Sequence, residues 1–264
     1  MHLVLHFIKH FFTATRRGHG VHSPFIFQLC EEVFYNSNTF YDFEELQKVR
    51  QELLQNLNTI QIEDFGAGSK ILNTKNRKIK DIAAHGVSKV HQAEMLFRLI
   101  NFLKSQSIIE LGTSLGLTTL YLAKANSKAK VFTIEGSKSL SEFASELAFK
   151  HDIKNIQFIH SKFDLALKQI LEKNKTIDFL YIDGNHTYKA TVEYFELALS
   201  KINNETVFIF DDIYWSAGMT KAWSEIKKHS LVTICIDTFY FGIIFFRKEV
   251  KEKIEIKIYL EWNL

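Results

Sequence analysis

Short apolar runs and longer helical patterns alternate along the chain from about residue 88 onward. This order is typical of a mostly parallel sheet with helices on both faces. The runs rich in apolar and β-branched residues predict six strands, at 107–111, 130–135, 156–160, 177–183, 206–211 and 231–237. The segments between them predict five helices, at 115–125, 140–151, 164–172, 188–202 and 219–229.

A seventh strand follows the sixth almost without a break. Residues 231–237 and 239–247 are both apolar, and a single residue separates them. A parallel connection needs a crossover of about a dozen residues, so these two runs must form an antiparallel hairpin. We therefore predict a doubly wound α/β fold with a mostly parallel seven-stranded sheet and an antiparallel final strand.

The residues before this alternation predict a helical appendage, and we place the domain boundary between residues 1–85 and 86–264. Leu3, Phe7 and Phe11 repeat every four residues, which predicts an amphipathic helix whose other face is basic. Three histidines share the same spacing: His2, His6 and His10. Because no carboxylate or cysteine joins them, we favour a solvated polar stripe over metal ligands. A helix packed on its own domain explains the pattern, with docking to a membrane surface or a partner as the alternative.

Composition narrows the class of protein. The chain has 264 residues, 46% of them hydrophobic, and a formal net charge of only +3, which gives no support to nucleic acid as a partner. Cys30 and Cys235 form no disulfide or zinc pattern, as expected in a reducing compartment. No apolar run is long enough for a transmembrane segment, and Arg16 and Arg17 follow the first apolar stretch instead of preceding it as in a signal peptide. We expect a cytoplasmic protein.

The ends of the first two strands carry the strongest chemical signal, because ligands of open parallel sheets bind at the carboxyl ends of strands. The first strand runs through Gly112 and Gly116 into a helix, in a pattern that is not the GxGxxG of dinucleotide folds. Glu110 before these glycines suits a ligand with a positive centre and no pyrophosphate. Glu135 ends the second strand, where an acidic residue binds the two hydroxyls of a ribose. A nucleoside-type ligand is therefore predicted.

The E-x-G-x-x-x-G-x-T turn from Glu110 to Thr118 resembles the class I S-adenosylmethionine-dependent methyltransferases, in the branch of the catechol and macrocin O-methyltransferases. The resemblance covers roughly residues 80–247 and implies a Rossmann-like methyltransferase fold with S-adenosylmethionine as cofactor. It implies these cofactor contacts: Glu110, Gly112, Thr113, Ser114, Gly116, Thr118, Glu135, Lys162, Phe163 and Asp183. Ser114 departs from the glycine that many relatives carry, which leaves the shape of the turn open.

Three carboxylates follow the fourth and fifth strands: Asp183, Asp211 and Asp212. Their repulsion must be offset by cations, protons or hydrogen-bond donors, and a hard divalent ion is one solution. The resemblance to catechol-type enzymes implies Mg²⁺ on these positions. The alternative, which stays open, is that Asp183 binds the amino group of the cofactor while the other two cap a helix.

His186 lies three residues after Asp183, where the family often has its general base. We predict His186 and Asp183 as catalytic residues, and an exposed loop histidine is the alternative.

A second glycine-rich segment at 64–69 also resembles a cofactor turn, but a polar and basic stretch follows it. We interpret this segment as a flexible loop and hypothesise that it is a lid.

Together these observations predict in-line methyl transfer from S-adenosylmethionine to a hydroxyl of a small molecule. Two rivals remain: a non-catalytic binding module that docks through its basic N-terminal helix, and a nucleotide-dependent oxidoreductase, which the missing GxGxxG disfavours. The expected partner is a small-molecule acceptor, and a homodimer stays open.

Overall fold

The structure is a computed structural model that describes residues 2–16, 23–62 and 76–261. They form two compact units. The terminal unit comprises Met1–Asn36 and Leu167–Leu264, and the central unit comprises Ser37–Ala166. The domain boundary predicted between residues 85 and 86 lies within the central unit, so the division of the chain into 1–85 and 86–264 stays a prediction.

Helices and strands follow one another closely in the described residues. The ten α-helices are α1 (His2–Thr13), α2 (Pro24–Leu29), α3 (Tyr41–Gln55), α4 (Ile79–His85), α5 (Val90–Leu103), α6 (Leu117–Ala125), α7 (Lys138–Lys150), α8 (Phe163–Lys173), α9 (Tyr188–Ala198) and α10 (Ala217–Ile226). The ten strands are β1 (Thr59–Gln61), β2 (Asn76–Lys78), β3 (Ser107–Leu111), β4 (Lys130–Glu135), β5 (Ile156–His160), β6 (Phe179–Ile182), β7 (Val207–Phe210), β8 (Ile234–Asp237), β9 (Gly242–Phe245) and β10 (Ile254–Lys257). A π-helical turn covers Cys30–Phe34 and a 3₁₀ turn covers Leu199–Lys201.

The central unit is built on three parallel strands, with β4 between β3 and β5. Ile109 of β3, Ile134 of β4 and Leu120 of α6 are fully buried. Strands this apolar are typical of a parallel sheet that helices cover on both faces. The short strands β1 and β2 form a separate antiparallel pair. Because β3, β4 and β5 run in the same direction, their carboxyl ends lie at one edge, where the candidate cofactor residues are found.

The terminal unit contains five strands in the order β10-β8-β9-β7-β6. β6 and β7 are parallel, and β9 runs antiparallel to both β7 and β8, so the predicted hairpin is confirmed. β10 is an eighth strand in addition to the seven predicted, and it pairs parallel with β8. The antiparallel strand is therefore not the final one. Apart from this edge strand, the predicted α/β class with a mostly parallel sheet flanked by helices is confirmed.

Helix α1 turns its histidine face toward the rest of the terminal unit. This orientation contradicts the solvated stripe that we expected. His10 is buried, with Nδ1 3.3 Å from Oδ1 of Asp237 and Nε2 3.1 Å from the carbonyl oxygen of Ile258. The ring of His6 stacks on Tyr214 at a centroid distance of 4.6 Å. The prediction was wrong because periodicity identifies two faces of a helix but not the partners that imidazole nitrogens find in the fold.

The buried contact of His10 affects the pKa of Asp237. Burial by itself would raise this pKa, but hydrogen bonds from His10 and Tyr214 and the charge of His10 bring it below its usual value. Each ring nitrogen of His10 faces an oxygen atom. These contacts attach α1 to the rest of the terminal unit.

None of the helices within residues 2–16, 23–62 and 76–261 is both long enough and apolar enough to cross a membrane.

We predict that His10→Ala lowers the free energy of unfolding by about 3 kcal/mol, because breaking a buried pair leaves the other charge without compensation. His2→Ala is the matched control, since His2 is less buried and makes one hydrogen bond with Thr220 at 3.0 Å. Urea denaturation measures the free energy of unfolding of both variants and of the wild type. A loss in His10→Ala no larger than that in His2→Ala would contradict the buried pair.

The same pair predicts a pH dependence. The folded state of Asp237 has a lowered pKa. Its contribution to stability is therefore present above the unfolded value of about 3.9 and is lost as the pH falls through the lower folded value. Denaturation at a series of acidic pH values should show this loss in the wild type and less of it in His10→Ala.

Candidate functional site

The turn after β3 depends on two glycines. Gly112 has a φ of 110°, and its N–H donates to the carbonyl oxygen of Ile134 at 3.0 Å. Gly116 begins α6 with a φ of 82°, and a Cβ at this position would lie only 2.7 Å from Cβ of Ala144. Any side chain here would have to displace α7. The two glycines thus allow α6 to approach α7 closely while the backbone of the turn stays accessible at the strand edge.

Ser114 stands in the middle of this turn in the left-handed region, with a φ of 50°. This backbone costs a non-glycine residue about 1–2 kcal/mol. Two hydrogen bonds offset the cost. The Ser114 hydroxyl donates to the carbonyl oxygen of Gly86 at 2.9 Å, and its N–H donates to Oε2 of Glu135 at 2.9 Å. A serine therefore adopts a left-handed backbone that glycine adopts at lower cost.

Glu135 is held by the backbone at the end of β4. Oε1 accepts from the N–H of Ser137 at 2.9 Å, and Oε2 accepts from the N–H of Ser114. The side chain is half-buried, so part of it is open to solvent. The fixed carboxylate is therefore suited to accept hydrogen bonds from a pair of ligand hydroxyls.

Glu110 lies behind the turn and not on its surface. Its side chain is completely buried, and Oε2 accepts from the hydroxyls of Thr119 at 2.5 Å and Thr133 at 2.6 Å. Thr133 uses its proton in this bond, so Thr113 is the donor in the 2.5 Å contact between the two threonines. The direct contact with a positive centre that we expected of Glu110 does not fit this burial. Glu110 instead organises the turn from inside.

Residues just before α5 also support the turn, although no sequence motif indicated them. The buried Thr118 hydroxyl donates to Oγ of Ser88 at 3.0 Å, and Ser114 donates to Gly86. Ser88 in turn offers its carbonyl oxygen to Arg50 at 2.6 Å. Because these contacts join segments about 30 residues apart with no recurring motif, only the fold reveals them.

The loop after β5 is tied to the end of β4. The N–H of Ser161 donates to the carbonyl oxygen of Glu135 at 3.1 Å, and Nε2 of His160 is 2.9 Å from the carbonyl oxygen of Gly136. Lys162 is exposed and Phe163 is half-buried at the start of α8. The structure thus places the residues that we expect on the adenine side directly beside the strand that ends in Glu135.

In the terminal unit, a tyrosine joins two of the predicted carboxylates. The hydroxyl of Tyr181 lies 3.1 Å from Oδ2 of Asp183 and 3.0 Å from Oδ2 of Asp211. The N–H of Asp212 donates to Oδ1 of Asp211 at 2.8 Å. Tyr181 was missed, although strand alternation places it on the same face as Asp183 two residues later.

Burial and the charges of Asp183 and Asp212 raise the pKa of Asp211 well above its usual value. The hydroxyl of Tyr181, within hydrogen-bond distance of both Asp183 and Asp211, acts in the opposite direction and lowers this pKa. A raised pKa and a hydroxyl donor each reduce the repulsion in such a cluster.

The predicted Mg²⁺ site does not fit this arrangement. Asp183 and Asp211 each direct one oxygen to Tyr181. No group of three or more histidine, cysteine, aspartate or glutamate side chains in the described part of the chain is arranged to hold a metal ion, whether at Asp183, Asp211 and Asp212 or along α1. We derive no step of the reaction through a metal.

His186 lies beside Asp183 after β6. Its Nε2 is 3.6 Å from Oδ1 of Asp183, and both side chains are partly exposed. Asn185 takes the left-handed backbone next to it, with a φ of 49°, and donates to the hydroxyl of Tyr194 at 3.2 Å. The pair is thus close enough for a carboxylate to stabilise an imidazolium. The glycine-rich segment 64–69, our hypothetical lid, lies outside the described residues.

We predict that the stability of Asp211→Asn relative to that of the wild type increases as the pH rises. The folded state of Asp211 has a raised pKa, so its favourable contribution is present at low pH and is lost as the pH rises through the folded value. Asparagine mimics the protonated acid at every pH. Thermal unfolding at pH 5 and pH 8 measures the difference between variant and wild type. Asp152→Asn is the control, on an exposed carboxylate paired with Lys154.

If the difference between Asp211→Asn and the wild type stayed the same at both pH values, Asp211 would not be protonated in the folded protein.

Residues 109–213 match the family described as "Methyltransferase domain". This stretch includes the glycine turn, Glu135, Asp183, His186 and Asp211. No curated protein matches the chain.

Solved structures with a similar fold include O-methyltransferases. A putative O-methyltransferase from Klebsiella pneumoniae is 14% identical with a TM-score of 0.57, over 80% of this chain and 92% of that one. The O-methyltransferase from Bacillus cereus, solved in complex with S-adenosylhomocysteine, is 20% identical with a TM-score of 0.54, over 80% and 91% of the two chains. The O-methyltransferase TomG from Streptomyces achromogenes, involved in tomaymycin synthesis and solved with S-adenosylmethionine, is 19% identical with a TM-score of 0.53, over 61% and 82%.

These similarities confirm the resemblance that the sequence indicated: residues 109–213 match the methyltransferase-domain family, and the fold is that of class I S-adenosylmethionine-dependent O-methyltransferases.

Proposed function

We propose that this protein binds S-adenosylmethionine and transfers its methyl group to an oxygen of a small-molecule acceptor. The observation that carries the proposal is the carboxylate of Glu135, which the N–H groups of Ser114 and Ser137 hold at the end of β4. A carboxylate fixed at this strand end is suited to bind both hydroxyls of a ribose. The S-adenosyl ligands of the similar structures from Bacillus and Streptomyces support the same cofactor here.

The rest of the central unit supplies partners for the other parts of the cofactor. The backbone of the turn between Gly112 and Gly116 would face the methionine part, beside the N–H groups that begin α6. Thr113, Ser114 and Thr118 hold this backbone through their hydrogen bonds. Lys162 and Phe163, beside the end of β4, would contact the adenine. In this proposal Glu110 acts through the turn as a positioning residue.

The bound cofactor supplies an activated methyl group, and the protein supplies alignment and a base. In the transfer, a bond from the methyl carbon to the acceptor oxygen forms as the bond from that carbon to sulfur breaks. The electron pair of the broken bond stays on sulfur, and the hydroxyl proton must leave the acceptor. We propose that neutral His186 takes this proton and that the negative charge of Asp183, 3.6 Å away, stabilises the resulting imidazolium.

The chemical identity of the acceptor depends on loops that carry no motif, so the proposal is limited to a small molecule with a hydroxyl group.

We include a cytoplasmic location in the proposal. Cys30 and Cys235 are free and buried thiols, as expected in a reducing compartment. Burial raises the pKa of Cys30 to about 11 and that of Cys235 to about 12, so neither is suited to act as a nucleophile.

Glu135→Ala should weaken the binding of S-adenosylhomocysteine by about 1.5–3 kcal/mol, the range for hydrogen bonds to a charged group. Titration calorimetry measures the affinity. Glu142→Ala is the matched control, because Glu142 is an exposed glutamate on α7 whose nearest cation, Nζ of Lys138, is 3.6 Å away. Unchanged affinity in Glu135→Ala would refute the assignment of the ribose site.

His186→Ala should lower the rate of methyl transfer by about 10²–10⁴-fold while the affinity for S-adenosylhomocysteine stays the same. The assay follows tritiated methyl groups from S-adenosylmethionine into a panel of phenols and aliphatic alcohols. His2→Ala serves as the histidine control.

A near-wild-type rate in His186→Ala would refute the role of this histidine as a base. Cofactor binding by the wild type without transfer to any acceptor in the panel would instead favour a non-catalytic binding module.

A further inference from the structure

Helix α1 exposes an apolar face in addition to the face of histidines and phenylalanines that packs on the rest of the terminal unit. Its outward side chains are large and apolar, with these exposed fractions: Leu3 40%, Val4 59%, Leu5 59%, Ile8 48% and Phe12 78%. Surface helices usually bury this face and expose the polar one. Val4, Leu5, Ile8 and Phe12 follow one another along one side of the helix, so their exposed surfaces form a continuous stripe. We call Leu3, Val4, Leu5, Ile8 and Phe12 together the apolar stripe.

The polar face of α1 is occupied by contacts within the terminal unit. His10 pairs with Asp237 and binds the carbonyl oxygen of Ile258, while His6 stacks on Tyr214. Beyond the helix, the N–H of Thr15 donates to the carbonyl oxygen of Lys257 at 2.8 Å. Turning the apolar stripe inward would therefore break a buried charged pair, so the fold holds the stripe outward.

Positive charge surrounds the stripe. Helix α1 contains no acidic residue, and Lys9 is exposed on it. Nζ of Lys257 is 3.3 Å from Oγ1 of Thr13 at the carboxyl end of α1. Arg16 follows this end, exposed and with its guanidinium 5.1 Å from the centre of the Tyr259 ring. An apolar stripe with a basic border complements a surface that offers hydrocarbon and negative charge together.

From these observations we propose that α1 docks this protein on an anionic lipid bilayer, lying in the plane of the membrane with the apolar stripe among the acyl chains. Its 12 residues are too few to cross a bilayer, which takes about 20. A second copy of the chain fits less well. The five side chains of the stripe are only partly exposed, so together they supply less than the area of about 800 Å² that each partner of a stable interface buries. The proposal is independent of the methyl-transfer reaction.

Flotation with lipid vesicles tests this docking. We expect the whole protein to bind vesicles of phosphatidylcholine and phosphatidylglycerol, to bind pure phosphatidylcholine much less, and to dissociate at high salt. Phe12→Glu should reduce the affinity for the anionic vesicles about tenfold or more, because it removes a large apolar side chain from the stripe. Phe149→Glu is the matched control, since Phe149 on α7 is 87% exposed and lies outside the stripe.

Ile8→Ser and Lys9→Gln test the stripe and its basic border by milder changes, and circular dichroism verifies that each variant is folded. Both should weaken binding to anionic vesicles. Absence of vesicle binding by the wild type would overturn the proposal, as would equal binding to neutral vesicles or equal losses in Phe12→Glu and Phe149→Glu. Light scattering that shows a dimer in the wild type and a monomer in Phe12→Glu would also overturn it, and would assign the stripe to a second copy.

Discussion

The candidate cofactor site depends on the hydrogen bond that the backbone of Ser114 donates to the carboxylate of Glu135. This one contact joins the glycine turn after β3 to the acidic residue at the end of β4. The turn can reach the carboxylate only because Gly112 and Ser114 adopt positive φ values and because Gly116 lets α6 pack against Ala144 of α7. Behind it, the buried carboxylate of Glu110 holds the turn through threonine hydroxyls. The carboxylate that we propose as the ribose ligand is therefore oriented before any ligand arrives, which would reduce the entropic cost of binding.

Most of the fold could be predicted from periodicity. Strands β3, β4 and β5 begin and end at the predicted residues, because buried parallel strands are continuous apolar runs flanked by helical patterns. β10 was missed although its four residues alternate between isoleucine and charge, which is typical of a half-buried strand at the edge of a sheet. The orientation of α1 was also missed. A repeat of apolar residues identifies a face, but the buried partner of His10 is Asp237, more than 200 residues away in the chain.

The residues of the candidate site also divide into those that the sequence identified and those that it did not. Glu135 and the glycines could be found because strand ends converge at one edge of a parallel sheet. Ser88 could not, since its contact with Thr118 joins two segments without a shared motif. The three carboxylates of the terminal unit were found, but the way in which their repulsion is reduced was not. The hydroxyl of Tyr181 and the raised pKa of Asp211 reduce it, and both depend on burial that a sequence does not display.

The central claim is that a fixed carboxylate binds the ribose of an S-adenosyl ligand. The most direct test compares, on the unaltered protein, the calorimetric affinity for S-adenosylhomocysteine with that for its 2′,3′-dideoxyribose analogue. Loss of hydrogen bonds to a charged group should weaken binding by about 10–10²-fold and leave the ligand otherwise unchanged. Equal affinity for the two ligands would show that the hydroxyls are not recognised and would contradict the account.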